Sequence, residues 1–289
     1  MKEEVGKLKE QAVGLEAQLK ETEVELRKAL SVIPNMSHPK APVGAGDTAN
    51  VTVAEFGKKP AFDFKPKDHI DLCQSLDLVD LEAGTKVAGS RFYFLKNEAA
   101  MLEIALIQYA MSTLAKAGYI PVVTPDMAKV DVLEGIGFIP RGPETQIYSI
   151  QNTDLSLVAT AEITLGGAMK DQILDIKDLP IKCAGLSHCF RTEAGSGGRE
   201  SRGLYRVHQF GKVELYQFTL PEASAAAHEE MLAIEEEFYG SLELPCSRAS
   251  SRPSRTIWTV PAYARANVRL AWWTESWTER LTIGGRRDT

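Results

Sequence analysis

The sequence predicts an α+β protein, with a mixed or antiparallel sheet flanked by helices and a helical arm at the N-terminus. Three observations carry this. Residues 1–30 repeat apolar positions at heptad spacing. One helix-period stretch is followed by strand-like stretches with helices between them. Residues 189–218 begin and end as alternating sequence around a loop of glycines, arginines and serines. Neither GxGxxG nor GxxxxGK[ST] occurs, which leaves out a Rossmann nucleotide site and a P-loop.

In the arm, Val5, Leu8, Ala12, Leu15, Leu19, Thr22, Leu26 and Ala29 alternate three and four apart, the a/d seam of a coiled coil. A helix with so little other apolar surface needs a partner helix. Residues 1–34 are therefore expected to be part of a coiled-coil arm, with the partner helix upstream. Residues 35–66 hold Pro39, Pro42, Pro60 and Pro66 and read as a linker, with at most short strands around "NVTVAEF". Residues 67–245 form the main domain.

Within it, "RFYFL" (91–95) reads as a strand. Asn97 can cap a helix that runs through Lys116 and closes at Gly118. "YIPVVTP" follows as a short strand whose Pro121 suggests an edge. "TQIYSIQ" and "LSLVAT" straddle Asn152-Thr153-Asp154, a hairpin signal. "AEITLGGAM" reads as a short helix. Strands are expected from Ile181 to Thr192 and from Leu204 to Thr219. Pro221 then suits the first turn of a helix ending near Gly240.

Composition bounds the function classes. The chain has 289 residues, a net charge of −6, 44% hydrophobic and 25% charged residues, ordinary for a soluble globular protein. A nucleic-acid contact would have to come from a local basic patch. Four cysteines form no CxxC, and no Cys/His cluster has zinc spacing, so they read as reduced thiols. No apolar run reaches a membrane span, and the charged first 30 residues suit neither a signal nor a transit peptide. The compartment is expected to be the cytoplasm or an organellar stroma or matrix.

After Pro245 the composition breaks. Residues 1–245 hold 18 Lys, 7 Arg and no Trp, whereas residues 246–289 hold no Lys, 8 Arg and 4 Trp. The tail shows no clear helical or strand period. It reads either as sequence not selected to fold with the rest or as a basic, aromatic nucleic-acid-binding tail. Residues 246–289 are expected to stand outside the fold.

The chemistry lies in "CFRTEAGSGGRESRGLYRVHQFGKVELYQF". Side chains two apart on a strand share a face, so Arg191 and Glu193 share a face on one strand, and on the partner strand Phe210, Lys212 and Glu214 share one unless Gly211 makes a bulge. An arginine fork suits a phosphate, a phenylalanine can stack on a flat base, and a buried glutamate suits an ammonium group. Such parts can make a nucleotide and amino-acid site, or an ordinary surface hairpin with cross-strand ion pairs. His188 and His208 read as strand residues with satisfied hydrogen bonds.

"FRTEAGSGGRESRGLYRVHQFGKVE" closely resembles motif 2 of class II aminoacyl-tRNA synthetases, in the form found in bacterial or organellar seryl-tRNA synthetases. "AGYIPVVTPDM" is similar to motif 1, the dimer-interface segment, and "VATAEITL" carries a serine-binding Thr-Ala-Glu. "VIPNMSHPKAPVG" and residues 68–106 resemble the family's approach to its catalytic domain. The likeness covers roughly residues 1–245. It implies a class II antiparallel sheet and a serine–tRNA ligase that forms seryl-adenylate from ATP and serine and passes the seryl group to tRNA(Ser). Carried over, Arg191, Thr192, Glu193, Val207 and Phe210 bind ATP, with Arg191 on the α-phosphate. Thr160, Ala161, Glu162 and Glu214 hold serine, and Arg199 and Arg202 touch tRNA. ATP and Mg²⁺ are the implied cofactors, with metal ligands unknown, and a homodimer is the implied assembly.

The chain departs from the family pattern in its first arm helix, in the strands that follow motif 2 and in motif 3. "GGRR" at 284–287 has no helical context. The expectation is a chain that activates serine poorly. The alternative is a non-catalytic relative that dimerises or binds tRNA. A carrier-protein ligase is disfavoured by the heptads.

Overall fold

The computed structural model describes residues 2–31, 33, 42–44, 49–138, 146–193, 203–251, 255–259 and 269–271. The chain divides into two compact units, Met1–Ala41 and Pro42–Thr289.

The first unit is one helix, α1 (Lys2–Ser31). Glu3 and Glu4 in its first turn and Lys28 in its last complement the helix dipole. Val5, Leu8, Leu15, Leu19 and Leu26, all on the expected a/d seam, are exposed. The seam thus has the form of a coiled-coil strand, with its apolar stripe uncovered.

The second unit opens with β1 (Val51–Phe56), inside the segment expected to be a linker. Two short helices follow, each started by an aspartate that accepts a backbone N–H three residues on. They are α2 (His69–Ser75), capped by Asp68 on Asp71 at 2.8 Å, and, after β2 (Val79–Asp80), α3 (Leu81–Ala88), capped by Asp80 on Ala83 at 2.8 Å. The expected strand 91–95 contracts to β3 (Phe94–Leu95), antiparallel to β2.

Helix α4 (Asn97–Lys116) spans the expected residues, but Asn97 is not its cap. Lys96 holds that position without a side-chain bond, while Asn97, at φ 48°, donates its amide to Asp77. Asp77 is itself paired with Lys96 at 2.6 Å, so tertiary contact outcompetes the local cap. The far end meets expectation. Gly118 sits at φ 87°, and the N–H groups of Gly118 and Tyr119 reach Ala115 and Leu114, a Schellman closure.

The strands β4 (Ile120–Val123) and β5 (Met127–Lys129), the helix α5 (Val130–Gly135), the strand β6 (Leu155–Leu157) and the helix α6 (Ala161–Ala168) come next. Asn152, at φ 63°, turns the expected hairpin, whose first arm is reduced to a bridge between Ser149 and Ser156. The strand β6 pairs instead with β5.

The centre is a long hairpin of β7 (Ile181–Phe190) and β8 (Gln209–Phe218), paired without a break from Ile181↔Phe218 to Phe190↔Gln209. Gly211 opposes His188 and makes no bulge, so the face shared by Phe210, Lys212 and Glu214 is intact. Both strands stop short of their expected outer ends. Pro221 opens a 3-10 turn that leads into α7 (Ser224–Ser241). β4 lies parallel to β7 at the sheet edge, where Pro121 costs no ladder bond.

The two faces of the hairpin differ. On one, Ala184, Val213 and Leu215 pack against Ala110 and Leu114 of α4 and Met231 and Phe238 of α7. On the other, Cys183 and Tyr216 pack against Ala161 and Leu165 of α6. Gly185 permits this second contact, since a Cβ there would lie 2.8 Å from Leu165 Cδ1 and 3.0 Å from Ala161 Cβ.

Beyond Pro245 the structure departs from the sequence expectation of a tail outside the fold. β9 (Cys246–Ser251) pairs antiparallel with β1 and with β10 (Arg255–Thr259), and β11 (Arg269–Ala271) lies parallel to β8 beside Lys212–Glu214. An edge strand offers unpaired N–H and C=O groups, and backbone ladders form on them without side-chain alternation. That is why composition did not reveal these strands.

Candidate active site

Two clusters on the α6 face of the hairpin are tied together by consecutive residues, Ala159 and Thr160. The first is buried and charged. Thr160, 2% exposed, ends its strand-like backbone as the N-cap of α6. Its hydroxyl donates to Glu214 Oε2 at 2.6 Å and accepts from Lys212 Nζ at 2.5 Å. The Glu162 backbone N–H lies 3.1 Å from Glu214 Oε2 and 3.3 Å from Thr160 Oγ1. Lys212 Nζ pairs with Glu214 Oε1 at 2.8 Å, and both side chains are almost wholly buried, at 2% and 1%. The carboxylate of Glu214 thus sits at the N-terminus of α6, where backbone N–H groups favour negative charge.

The second cluster surrounds Arg191, just past the end of β7. Its Nε and Nη2 donate to the carbonyl of Ala159 at 3.4 and 3.3 Å. Its guanidinium lies 5.2 Å from the centre of the Phe210 ring. Phe210, 4% exposed, packs with Cys189 and Val207. Burial holds the Cys189 thiol above its ordinary pKa, so it is no nucleophile at neutral pH. The backbone of Arg191 is fixed from both sides by His208, whose carbonyl accepts from Arg191 N–H at 2.9 Å and whose ring Nδ1–H donates to the Arg191 carbonyl at 2.8 Å. His208 is thus a satisfied strand-end residue, and His188, 2.9 Å from Asp126 Oδ2, is another.

Glu193 leaves the strand at φ 49°. Its carboxylate accepts from Arg206 Nη1 at 3.1 Å and its carbonyl from Arg91 Nη1 at 3.4 Å. Thr192 N–H reaches the Gln146 carbonyl at 3.2 Å. At the far end of the loop, Gly203 sits at φ 84° against His69, whose Nε2 accepts from Leu204 N–H at 3.1 Å.

The structure therefore brings Arg191, Phe210 and Glu214 to one sheet face, as strand parity predicts, and sets Thr160 and Glu162, from the start of α6, against Glu214 on that face. Ala161 differs: fully buried in the α6 contact, it packs and presents no polar side chain. Arg199 and Arg202 lie outside the described residues. Sequence reasoning left out Lys212, Arg206, Arg91 and the Ala159 carbonyl. Lys212 was detectable, because it shares parity with Phe210 and Glu214. The others are joined only by tertiary contact. Among the described residues no group of three His, Cys, Asp or Glu side chains could hold a metal ion.

A fixed guanidinium over an aromatic ring suits a phosphate beside a base. A buried carboxylate with a hydroxyl suits an ammonium group. The chain is also similar to known proteins of one family. Residues 147–286 match the tRNA synthetase class II core domain (G, H, P, S and T). The chain is 55% identical over 230 residues to the serine–tRNA ligase of Rubrobacter xylanophilus, covering 80% of this chain and 54% of that protein. It is 51% identical over 262 residues to that of Treponema denticola, covering 89% and 62%. Among solved structures, the seryl-tRNA synthetase of Pyrococcus horikoshii complexed with ATP superimposes with a TM-score of 0.79 at 34% identity, over 86% of this chain and 61% of that one. The chain spans a little more than half the length of these curated relatives.

Proposed function

We propose that this chain, which belongs to the class II tRNA synthetases, acts as part of a serine–tRNA ligase. The reaction is attack of the serine carboxylate on the α-phosphorus of ATP. The new bond is between carboxylate oxygen and phosphorus, and the bond to the pyrophosphate leaving group breaks. A hydroxyl of the terminal ribose of tRNA(Ser) then attacks the carbonyl carbon of the adenylate; the ester bond forms, the carbonyl–phosphate oxygen bond breaks, and AMP leaves with the hydroxyl proton released to water.

The observation that carries this reading is the Ala159–Thr160 link. One carbonyl holds the Arg191 fork while the next residue's hydroxyl holds Glu214. The groups suited to the α-phosphate and to the amino acid are thereby set one residue apart. In this reading Glu214 and Thr160 take the serine ammonium and hydroxyl groups, and Glu162 adds negative charge. Phe210 takes adenine, Glu193 accepts from the adenine side, and Val207 and Thr192 flank the nucleotide. Catalysis comes from positioning and from the Arg191 charge as negative charge builds on the transferring phosphoryl group. A site that hydrogen-bonds the serine hydroxyl rejects alanine by leaving a buried polar group unpaired.

Mg²⁺ would accompany the ATP phosphates. The described residues present no ligand set for it. Arg199 and Arg202 contact tRNA in this reading, and α1 forms part of the tRNA-binding arm. Exposed Met101, Leu102 and Ile104 on α4, with Ile120 and Val123 on β4, suit a two-fold dimer through the segment similar to motif 1. Cytoplasm is the compartment that fits the bacterial relatives.

ATP–pyrophosphate exchange tests the reading. Exchange should depend on serine and fail with alanine. Exchange that responds equally to both would overturn it.

A further inference from the structure

We propose that Lys212 is a positioning residue of the amino-acid site, its ammonium group locking the Thr160 hydroxyl onto Glu214 Oε2 and fixing the direction in which Glu214 Oε1 meets an incoming ammonium group. This rests on the reading of the site as an amino-acid site.

A hydroxyl has one proton and two lone pairs. That of Thr160 gives its proton to Glu214 Oε2 and receives Lys212 Nζ at 2.5 Å and Glu162 N–H at 3.3 Å. Its rotor is thereby locked. A carboxylate offers about four acceptor sites. On Glu214, Oε2 takes Thr160 and Glu162 N–H, while Oε1 lies 2.8 Å from the Lys212 ammonium as an ion pair and has no hydrogen-bond partner of its own among the described residues. The acceptor capacity left is that of Oε1, beside Lys212, and it is the place for a substrate ammonium group.

Lys212 is itself 1% exposed, and its polar partners among the described residues both belong to this site. Ser187, opposite it in the ladder, turns instead to Cys189 Sγ at 3.4 Å. A buried ammonium group is expensive, and well-packed apolar side chains often replace a buried ion pair without loss. A lysine whose contacts all go to ligand-facing groups is therefore accounted for by orientation. Remove it, and a lone pair on Thr160 Oγ1 is released, the hydroxyl can turn, and Glu214 Oε1 loses the cation that holds its plane.

The test measures serine and ATP affinities separately by titration calorimetry on the full chain, on Lys212→Met and on Lys212→Arg. Lys212→Met should bind serine roughly 10-fold to 100-fold more weakly, the equivalent of one charge-assisted contact, with ATP affinity unchanged within about 2-fold. Lys212→Arg, which keeps the charge, should recover part of the loss. Serine affinity equal to that of the unaltered chain, or equal losses for both ligands, would overturn the proposal. An unaltered chain that binds no serine would instead sink the functional reading on which it stands. Should Lys212→Met fail to fold, a crystal structure of the unaltered chain with serine decides. Lys212 Nζ should remain within hydrogen-bond distance of Thr160 Oγ1 and Glu214 Oε1, and its displacement by the substrate would refute the positioning role.

Discussion

Replacing Glu214 by glutamine is the sharpest perturbation of the site. The side chain keeps its size and loses its charge. Glu214 is 1% exposed and holds three partners: the Thr160 hydroxyl at 2.6 Å, the Glu162 N–H at 3.1 Å and the Lys212 ammonium at 2.8 Å. The amide nitrogen can accept none of them, so at least one donor is orphaned, and Lys212 is left as a buried cation with only Thr160. Removing one partner of a buried pair costs about 3–5 kcal/mol of stability. Losing the charge-assisted contact to a serine ammonium costs about 1.5–3 kcal/mol of binding, or roughly 10-fold to 150-fold in affinity. Urea unfolding followed by circular dichroism reads the first figure, and serine titration of the folded variant reads the second. The double variant Lys212→Met with Glu214→Gln should recover part of the stability, because no charge is then buried, but none of the serine affinity. A single variant as stable as the parent and equally tight for serine would refute the assigned role of the buried cluster.

Other expectations follow from the same contacts. Gly185→Ala should destabilise by about 1–3 kcal/mol in urea melts, since the new Cβ would lie 2.8 Å from Leu165 Cδ1 against a helix that cannot withdraw without opening the site. Arg191→Ala should abolish measurable ATP-dependent exchange while leaving the midpoint of urea unfolding nearly unchanged, because its side chain is only partly buried and its fork meets one carbonyl among the described residues. Burial pushes the Tyr119 phenol up to about 12, against a lowering hydrogen bond from Gln217. The protonated form is therefore favoured in the folded state. Its stabilising contribution is complete below the unfolded value near 10 and is lost as pH rises from there to about 12. Tyr119→Phe should flatten this part of the stability–pH curve, with Tyr239, raised by burial too, supplying the remaining slope.

Much of this arrangement was legible because strand parity is a strict rule. Once "FGKVE" is placed on a strand with no bulge, Phe210, Lys212 and Glu214 must share a face, and they do. Gly118 and Pro121 were legible for similar reasons, one demanding positive φ and the other an edge. Asn97 was misread because its capping propensity is local, whereas Asp77 reaches it from 20 residues away in sequence. The strands after Pro245 were missed because an edge ladder is made by backbone, which composition does not report. The holders of Arg191 and Glu193, namely the Ala159 carbonyl, Arg206 and Arg91, are set by chain crossings no local pattern encodes.

The central claim is that the Arg191 and Glu214 clusters serve one bound molecule across the Ala159–Thr160 link. A crystal structure with a non-reactive sulfamoyl analogue of seryl-adenylate tests it most directly. The account predicts the serine ammonium group on Glu214 Oε1, the serine hydroxyl within the Thr160–Glu214 cluster, and the group replacing the α-phosphate on the Arg191 guanidinium. An analogue bound with its amino acid end away from Glu214, or with Arg191 still turned wholly to the Ala159 carbonyl, would contradict it.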